Sequence, residues 1–216
     1  MKHYDFSTEI PTLGEAKIDS PLLENTKADE PGKRFVSDDS RIIVDVDASH
    51  FTDEKDTFTS FDPAGPREKI YFDPSKLKCA IVTCGGLCPG LNDIIRSIVL
   101  ELHHIYHVNT IYGIKHGLEG FIPEHGHDVI SLDPDMVSGI QNRGGSMLGS
   151  SRGTQDIEQI IDCLERLNIG ILFMVGGDGT LMASKHIAEE IDKRNLKISV
   201  IAIPKTIDND IYLVSR

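Results

Sequence analysis

The stretch IGILFMVGGDGT (Ile169–Thr180) decides the fold. Its first seven residues form an unbroken apolar run, closed at once by glycines, and such a run reads as a strand buried on both faces. A helical pattern follows from about Leu181 to Ile191, so the glycines sit between a strand and a helix. Working outward, LKCAIVT (Leu77–Thr83), TIYGI (Thr110–Ile114) and KISVIAI (Lys197–Ile203) read as further strands. Between them, Ile94, Ile95, Ile98, Val99 and Leu102 share one helical face. Ile157, Ile160, Ile161, Leu164 and Leu167 share another, with Asp156 placed to cap it. Strands alternating with helices predict an α/β fold with a parallel sheet covered on both faces. Ligands of such sheets bind beyond the carboxyl ends of the strands, where every glycine-rich motif of this chain falls.

The leader reads differently. Residues 1–67 are punctuated by Pro and Asp and show no sustained helical period, which predicts an extended or partly disordered segment. The run Arg41–Val46 is an edge-strand candidate within it. The whole chain has 216 residues, 39% hydrophobic and 26% charged, ordinary values for a soluble globular protein. Its formal net charge of −12 excludes a duplex-binding surface, which needs clustered Lys and Arg. No apolar run approaches the ~20 residues that span a bilayer. The N-terminus carries acids early and fits neither a secretory signal nor a transit peptide. Cys79, Cys84, Cys88 and Cys163 form no C-x-x-C pair, so free thiols and a cytoplasmic location are expected.

Four motifs carry chemistry. TCGGLCPGLN (Thr83–Asn92) joins a strand to a helix, and its glycines allow a tight turn or a close backbone approach to a ligand. It lacks both the Walker and the G-x-G-x-x-G spacing, so a phosphate loop and a plain tight turn both remain open. NRGGSMLGSSRG (Asn142–Gly153) brackets small residues with Arg143 and Arg152, whose planar forks suit phosphate oxygens. The alternative is a polar loop salt-bridged to nearby acids. GGDGT (Gly176–Thr180) sets a carboxylate at a strand's end, where it reaches a Mg²⁺ ion beside a polyphosphate or else caps the next helix. PKTIDND (Pro204–Asp210) gathers Lys205, Thr206, Asp208, Asn209 and Asp210 after another strand. One of those carboxylates is placed to take a proton from a hydroxyl, unless the pair is a solvated turn. Nine histidines include His103 and His107, four apart, but their helix's apolar stripe points elsewhere and a solvated face is expected.

In that order, GGLCPGLN, RGGSMLGSSRG, GGDGT and PKTIDND resemble the phosphofructokinase family, and AGPREKIYF (Ala64–Phe72) resembles the lead-in of its longer, plant-like members. The resemblance covers about Ala64 to Arg216. It implies a Rossmann-like three-layer α/β sandwich, with residues 68–216 as its N-terminal nucleotide-binding domain. The fold is expected to be incomplete, with the C-terminal half absent. The implied reaction is ATP-dependent phosphorylation of fructose 6-phosphate, with Mg²⁺. By the same resemblance Gly85 touches ATP, Arg152 and Gly153 hold its phosphates, and Gly177, Asp178, Gly179 and Thr180 wrap them. Asp178 serves the metal. Thr206, Ile207 and Asp208 meet the sugar, with Asp208 as the base that activates its 1-hydroxyl. A homo-oligomer, dimer or tetramer, is implied as well. So are sugar-binding groups beyond Arg216, without which the isolated chain is expected to be inactive.

The donor is read from two positions. Pyrophosphate-dependent members usually carry Asp where this chain has Gly179, and Lys where it has Lys205. Gly179 leaves room for the α-phosphate region of ATP, whereas Lys205 is the pyrophosphate-like choice. Together they resemble the long ATP-dependent group. Pyrophosphate dependence and a non-catalytic nucleotide-binding partner are the alternatives.

Overall fold

The computed structural model describes residues 7–23, 35–44 and 59–207. The chain falls into two units, Met1–Tyr71 and Phe72–Arg216. In the first, β1 (Ile18–Asp19) pairs antiparallel with β4 (Lys69–Ile70), and β2 (Ile42–Ile43) with β3 (Ser60–Phe61). Of the expected edge strand Arg41–Val46, Ile42–Ile43 pairs, and Asp45 and Val46 lie outside the described residues. Polar contacts hold these short ladders. Arg67 pairs with Asp38 at 2.9 Å and donates to the Pro63 and Gly65 carbonyls, and Arg41 pairs with Asp62 at 2.7 Å. Among the described residues of this unit, Ser20 alone is buried, so no apolar core forms there.

The second unit is built on β5 (Lys78–Thr83), β6 (Thr110–Ile114), β7 (Val129–Ser131), β8 (Ile171–Gly176) and β9 (Ser199–Pro204). They lie side by side in the order β7-β6-β5-β8-β9. All neighbours are parallel except β7, an antiparallel edge strand that the sequence pattern did not reveal. Three residues, two aliphatic and one polar, leave too little periodicity to read.

Helices α1 (Leu91–Leu100), α2 (Ile157–Leu167) and α3 (Asp178–Lys193) cover the sheet. Alternation along β5 sorts the two layers. Cys79 and Ile81 pack with Ile95 and Val99 of α1. Ala80 and Val82 pack with Ile160, Ile161 and Leu164 of α2 and Ile187 of α3 on the other side. The result is the expected three-layer sandwich, with β5 at its centre.

Each helix end has a chemical cause. Asp156 caps α2 by accepting from the Glu158 amide at 2.9 Å and from the Gln159 side chain at 3.1 Å. Those bonds, the Gln159 contact foremost, hold its carboxyl below the usual range. Asn168 closes α2 in the left-handed region at φ 56°. Arg194, at the end of α3, bridges to Asp162 of α2 at 2.6 Å and to Glu190 at 3.1 Å. The helix α1 runs on into a π turn, Glu101–Ile105, and His107 lies beyond it at φ 58°. His103 and His107 therefore do not share the helical face that their spacing of four suggests. Among the described residues, no helix is long and apolar enough to cross a membrane.

Candidate functional site

The sheet fixes where a ligand sits. From β5 the chain crosses through α1 to β6 on one side, and from β8 through α3 to β9 on the other. The order therefore reverses between β5 and β8, and a crevice opens beyond their carboxyl ends. Cys84 closes the ladder by donating to the Val175 carbonyl at 2.8 Å, and beyond that bond the two glycine loops diverge. A cleft of about 600 Å³ lies between them.

On the β8 side, GGDGT is not a free loop. Gly176 ends the strand, Gly177 is the N-cap, and Asp178 is the first residue of α3, three residues earlier than the apolar pattern predicts. Gly176 is glycine for steric reasons. A Cβ there would stand 2.1 Å from Thr180 Oγ1 and 2.9 Å from the Cys84 carbonyl. Its absence lets the buried Thr180 fold back over the strand end. The Thr180 and Leu181 amides donate to Gly177, but no side chain caps the helix. The first amides of a helix lack intrahelical partners, so this N-terminus presents donors and a positive dipole end to the cleft. Asp178 lines the cleft as an exposed carboxylate with no ion-pair partner among the described residues. It belongs to the first turn, and the capping role open to it in the sequence falls to Gly177.

On the β5 side, the second glycine loop is pinned to the first by a polar network. Thr83 Oγ1 donates to the Gly149 carbonyl at 2.6 Å, Ser150 Oγ donates to the Gly85 carbonyl at 2.6 Å, and the Gly85 amide donates to Ser151 at 3.0 Å. Asn92, 3% exposed, donates to the Arg143 carbonyl at 3.0 Å and accepts from the Met147 amide at 2.8 Å. The Leu148 carbonyl accepts from the His116 amide at 2.7 Å. Sequence reasoning assigned no role to Thr83, Asn92 or His116. The first two stand at the ends of a quoted motif, and their signal was two polar side chains bordering an apolar strand and helix.

This network separates the two arginines. Arg152 reaches the cleft and has no acidic partner among the described residues, whereas Arg143 is not in its lining and contributes backbone bonds, its carbonyl accepting from Asn92 and its amide donating to Ile140. A salt-bridged loop is therefore not what forms. Lys205 donates its ammonium to the Gly86 carbonyl and its amide to Gly176 at 2.9 Å, tying the end of β9 to both loops. Gly85, Gly153, Gly177, Gly179 and Thr180 all line the cleft with these cations. Thr206 and Ile207 are not among its lining, and Ile207 is 70% exposed. Asp208, Asn209 and Asp210 lie outside the described residues. The Cys84 thiol is pushed up to about 12 by burial and stays neutral, which removes it as a nucleophile at physiological pH.

Uncapped amides, two cations and one carboxylate without an ion-pair partner among the described residues thus meet at the switch point, a donor set whose chemistry suits phosphate oxygens. Comparison with known proteins gives the family. The family model described as Phosphofructokinase matches residues 78–215. An ATP-dependent 6-phosphofructokinase of Borreliella burgdorferi is 47% identical over 216 residues, all of this chain and 48% of that protein. One from Entamoeba histolytica is 53% identical over 148 residues, 68% of this chain and 34% of that protein. In structure, phosphofructokinase from Saccharomyces cerevisiae aligns at a TM-score of 0.54 and 25% identity, over 65% of this chain and 18% of its own. A pyrophosphate-dependent phosphofructokinase from Marinobacter aquaeolei shares the fold at a TM-score of 0.55 and 22% identity, over 62% of this chain and 34% of its own. The chain belongs to the phosphofructokinase family. It spans about half or less of the length of the curated relatives it matches.

The network makes a direct prediction. Asn92→Ala leaves the Arg143 carbonyl and the Met147 amide without their buried partner and is expected to cost about 2–4 kcal/mol. Urea denaturation checks this, and a loss within error of zero would remove Asn92 from the loop's support.

Proposed function

We propose that these residues form the donor half of an ATP-dependent 6-phosphofructokinase, working in the cytoplasm as a homo-oligomer on fructose 6-phosphate. The observation that carries the proposal is the gathering of Arg152, Lys205 and the uncapped start of α3 around one cleft, with Gly179 open to it. No atom lies within 4 Å of where a Gly179 Cβ would stand, so the backbone there leaves space for the inner phosphates of a nucleotide. Four free thiols fit a reducing compartment.

Each group has a task. Arg152 and Lys205 stabilise the charge that spreads over the transferring phosphoryl oxygens, and the α3 amides add fixed donors that need no reorganisation. Arg152 also lines a second hollow of about 430 Å³ between the glycine loops, so its guanidinium borders two spaces at once. Asp178 fits Mg²⁺, an ion held by one or two carboxylates together with phosphate oxygens and water. When bound, that ion neutralises charge on the donor phosphates. Asp208 takes the proton of the acceptor hydroxyl in this reading, with Thr206 and Ile207 beside the sugar.

One observation favours the second reading, pyrophosphate as donor: Lys205 is the pyrophosphate-like residue, and its ammonium reaches the first glycine loop. The open space at Gly179 supports ATP instead. Assaying the full-length gene product for phosphorylation of fructose 6-phosphate with each donor tests this. Turnover with ATP is expected, and turnover with pyrophosphate alone would overturn the assignment. Gly179→Asp is expected to weaken ATP binding about tenfold through charge repulsion. The fold should tolerate the substitution, because the space is open and an acid suits a helix start.

A further inference from the structure

Outside the cleft, three imidazoles gather beside the corner where β6 ends. His116 lies against His127, with ring centroids 4.3 Å apart and planes tilted by 37°, and His125 stacks on His127 at 6.0 Å. None of the three lines the cleft. His116 instead touches the second glycine loop. It holds a left-handed backbone at φ 60°, uncommon for a residue with a side chain, and only its surroundings keep it there. Its amide donates to the Leu148 carbonyl at 2.7 Å. Its Nδ1 stands 3.2 Å from where a Gly149 Cβ would be, so the ring edge lies directly against that glycine. The next residue, Gly117, packs so closely on Ser151 that a Cβ there would stand 2.5 Å from its Oγ. The corner therefore braces Leu148, Gly149 and Ser151, and Arg152 follows them directly.

The charge on the rings decides how firmly the brace holds. On the segments that carry the stack, the charged side chains are Lys115 after β6, Glu119 in the turn Gly117–Phe121, Glu124 beside His125, and Asp128 beside His127. The facing loop, residues 146–151, carries none. Glu119 Oε2 stands 3.9 Å from His127 Nε2, so a first proton, on His127, gains a carboxylate partner. Among the described residues no acid lies within ion-pair distance of His116, so a second proton there faces a like charge 4.3 Å away. Imidazoles change charge between about pH 5 and 8, so acidification reaches this state. We infer that His116 is a positioning residue for Arg152, acting through Gly149 and Ser151, and that protonating its stack with His127 loosens the loop as pH falls. The consequence for phosphate binding rests on the cleft being the phosphoryl-donor site.

The test follows the chain from about pH 8 to about pH 5.5 in the wild type and in the His116→Asn and His127→Gln variants. Asparagine tolerates the left-handed backbone, and both replacements keep a polar side chain that cannot take the proton. In the wild type, amide NMR is expected to show Gly149, Ser151 and Arg152 shifting together with pH. Affinity for ATP with Mg²⁺, read by titration calorimetry, is expected to fall about fivefold more over that range than in either variant. That factor is what two like charges 4.3 Å apart in water amount to. Protonation of ATP and of His186 is common to all three proteins, so the difference between them reads the stack alone. Loop amides that respond to pH equally in the wild type and in His127→Gln would overturn the inference, as would equal losses of affinity. A wild type that binds no ATP at about pH 8 would remove the donor-site reading, and the amide shifts would still decide the role of the stack.

Discussion

The hydrogen bond from the Cys84 amide to the Val175 carbonyl, 2.8 Å long, is the last rung between β5 and β8, and the site depends on it. Up to that rung two buried strands run side by side. Beyond it their chains part to opposite faces of the sheet, because α1 and α3 cross over on different sides. Two glycine loops are thereby brought together at the start of their divergence, with a cleft between them. The tight packing at Gly176 secures the arrangement, since any side chain there would strike both Thr180 and the Cys84 carbonyl.

The charge of the site runs against that of the molecule. A chain with formal net charge −12 repels polyphosphates at long range. Inside the cleft the balance reverses, through Arg152 without an acidic partner among the described residues, Lys205 and an uncapped helix start. Arg194 shows the contrast. It stands away from the cleft and is held by Asp162, Glu165 and Glu190, and the hydrogen bonds to Asp162 and then Glu190 raise its pKa further. Arg194 is thus neutralised by neighbouring acids, whereas Arg152 in the cleft has none among the described residues. In the proposed reading, Asp178 is the acid through which a divalent cation would add to the positive side.

Much of this was legible in the residues. The apolar run IGILFMV, the stripe Ile157–Leu167 and the cap Asp156 gave strand, helix and boundary, because burial and capping act over a few residues. The glycine motifs were placed at strand ends, where the cleft opens. Other features were out of reach for physical reasons. The antiparallel β7 is set by its register against β6, a long-range fact that three residues do not announce. The start of α3 at Asp178 follows from Thr180 folding over Gly176, which is tertiary packing. That Arg152 lines the cleft while Arg143 does not is a tertiary outcome, in a loop held by Asn92, 51 residues from Arg143. The role given to Asp208 by family resemblance falls outside the described residues and stands as a proposal.

Backbone amide NMR of the chain titrated with ATP and Mg²⁺ tests the central claim most directly, since the claim is that amides at the β5–β8 switch point receive the phosphates. The account predicts the largest shifts at Gly85, Gly86, Gly153, Asp178 and Gly179. Little should change in the hollow at the opposite end of the sheet, beside Lys76 and Lys197. Shifts centred on that opposite hollow, with the glycine loops unmoved, would contradict it.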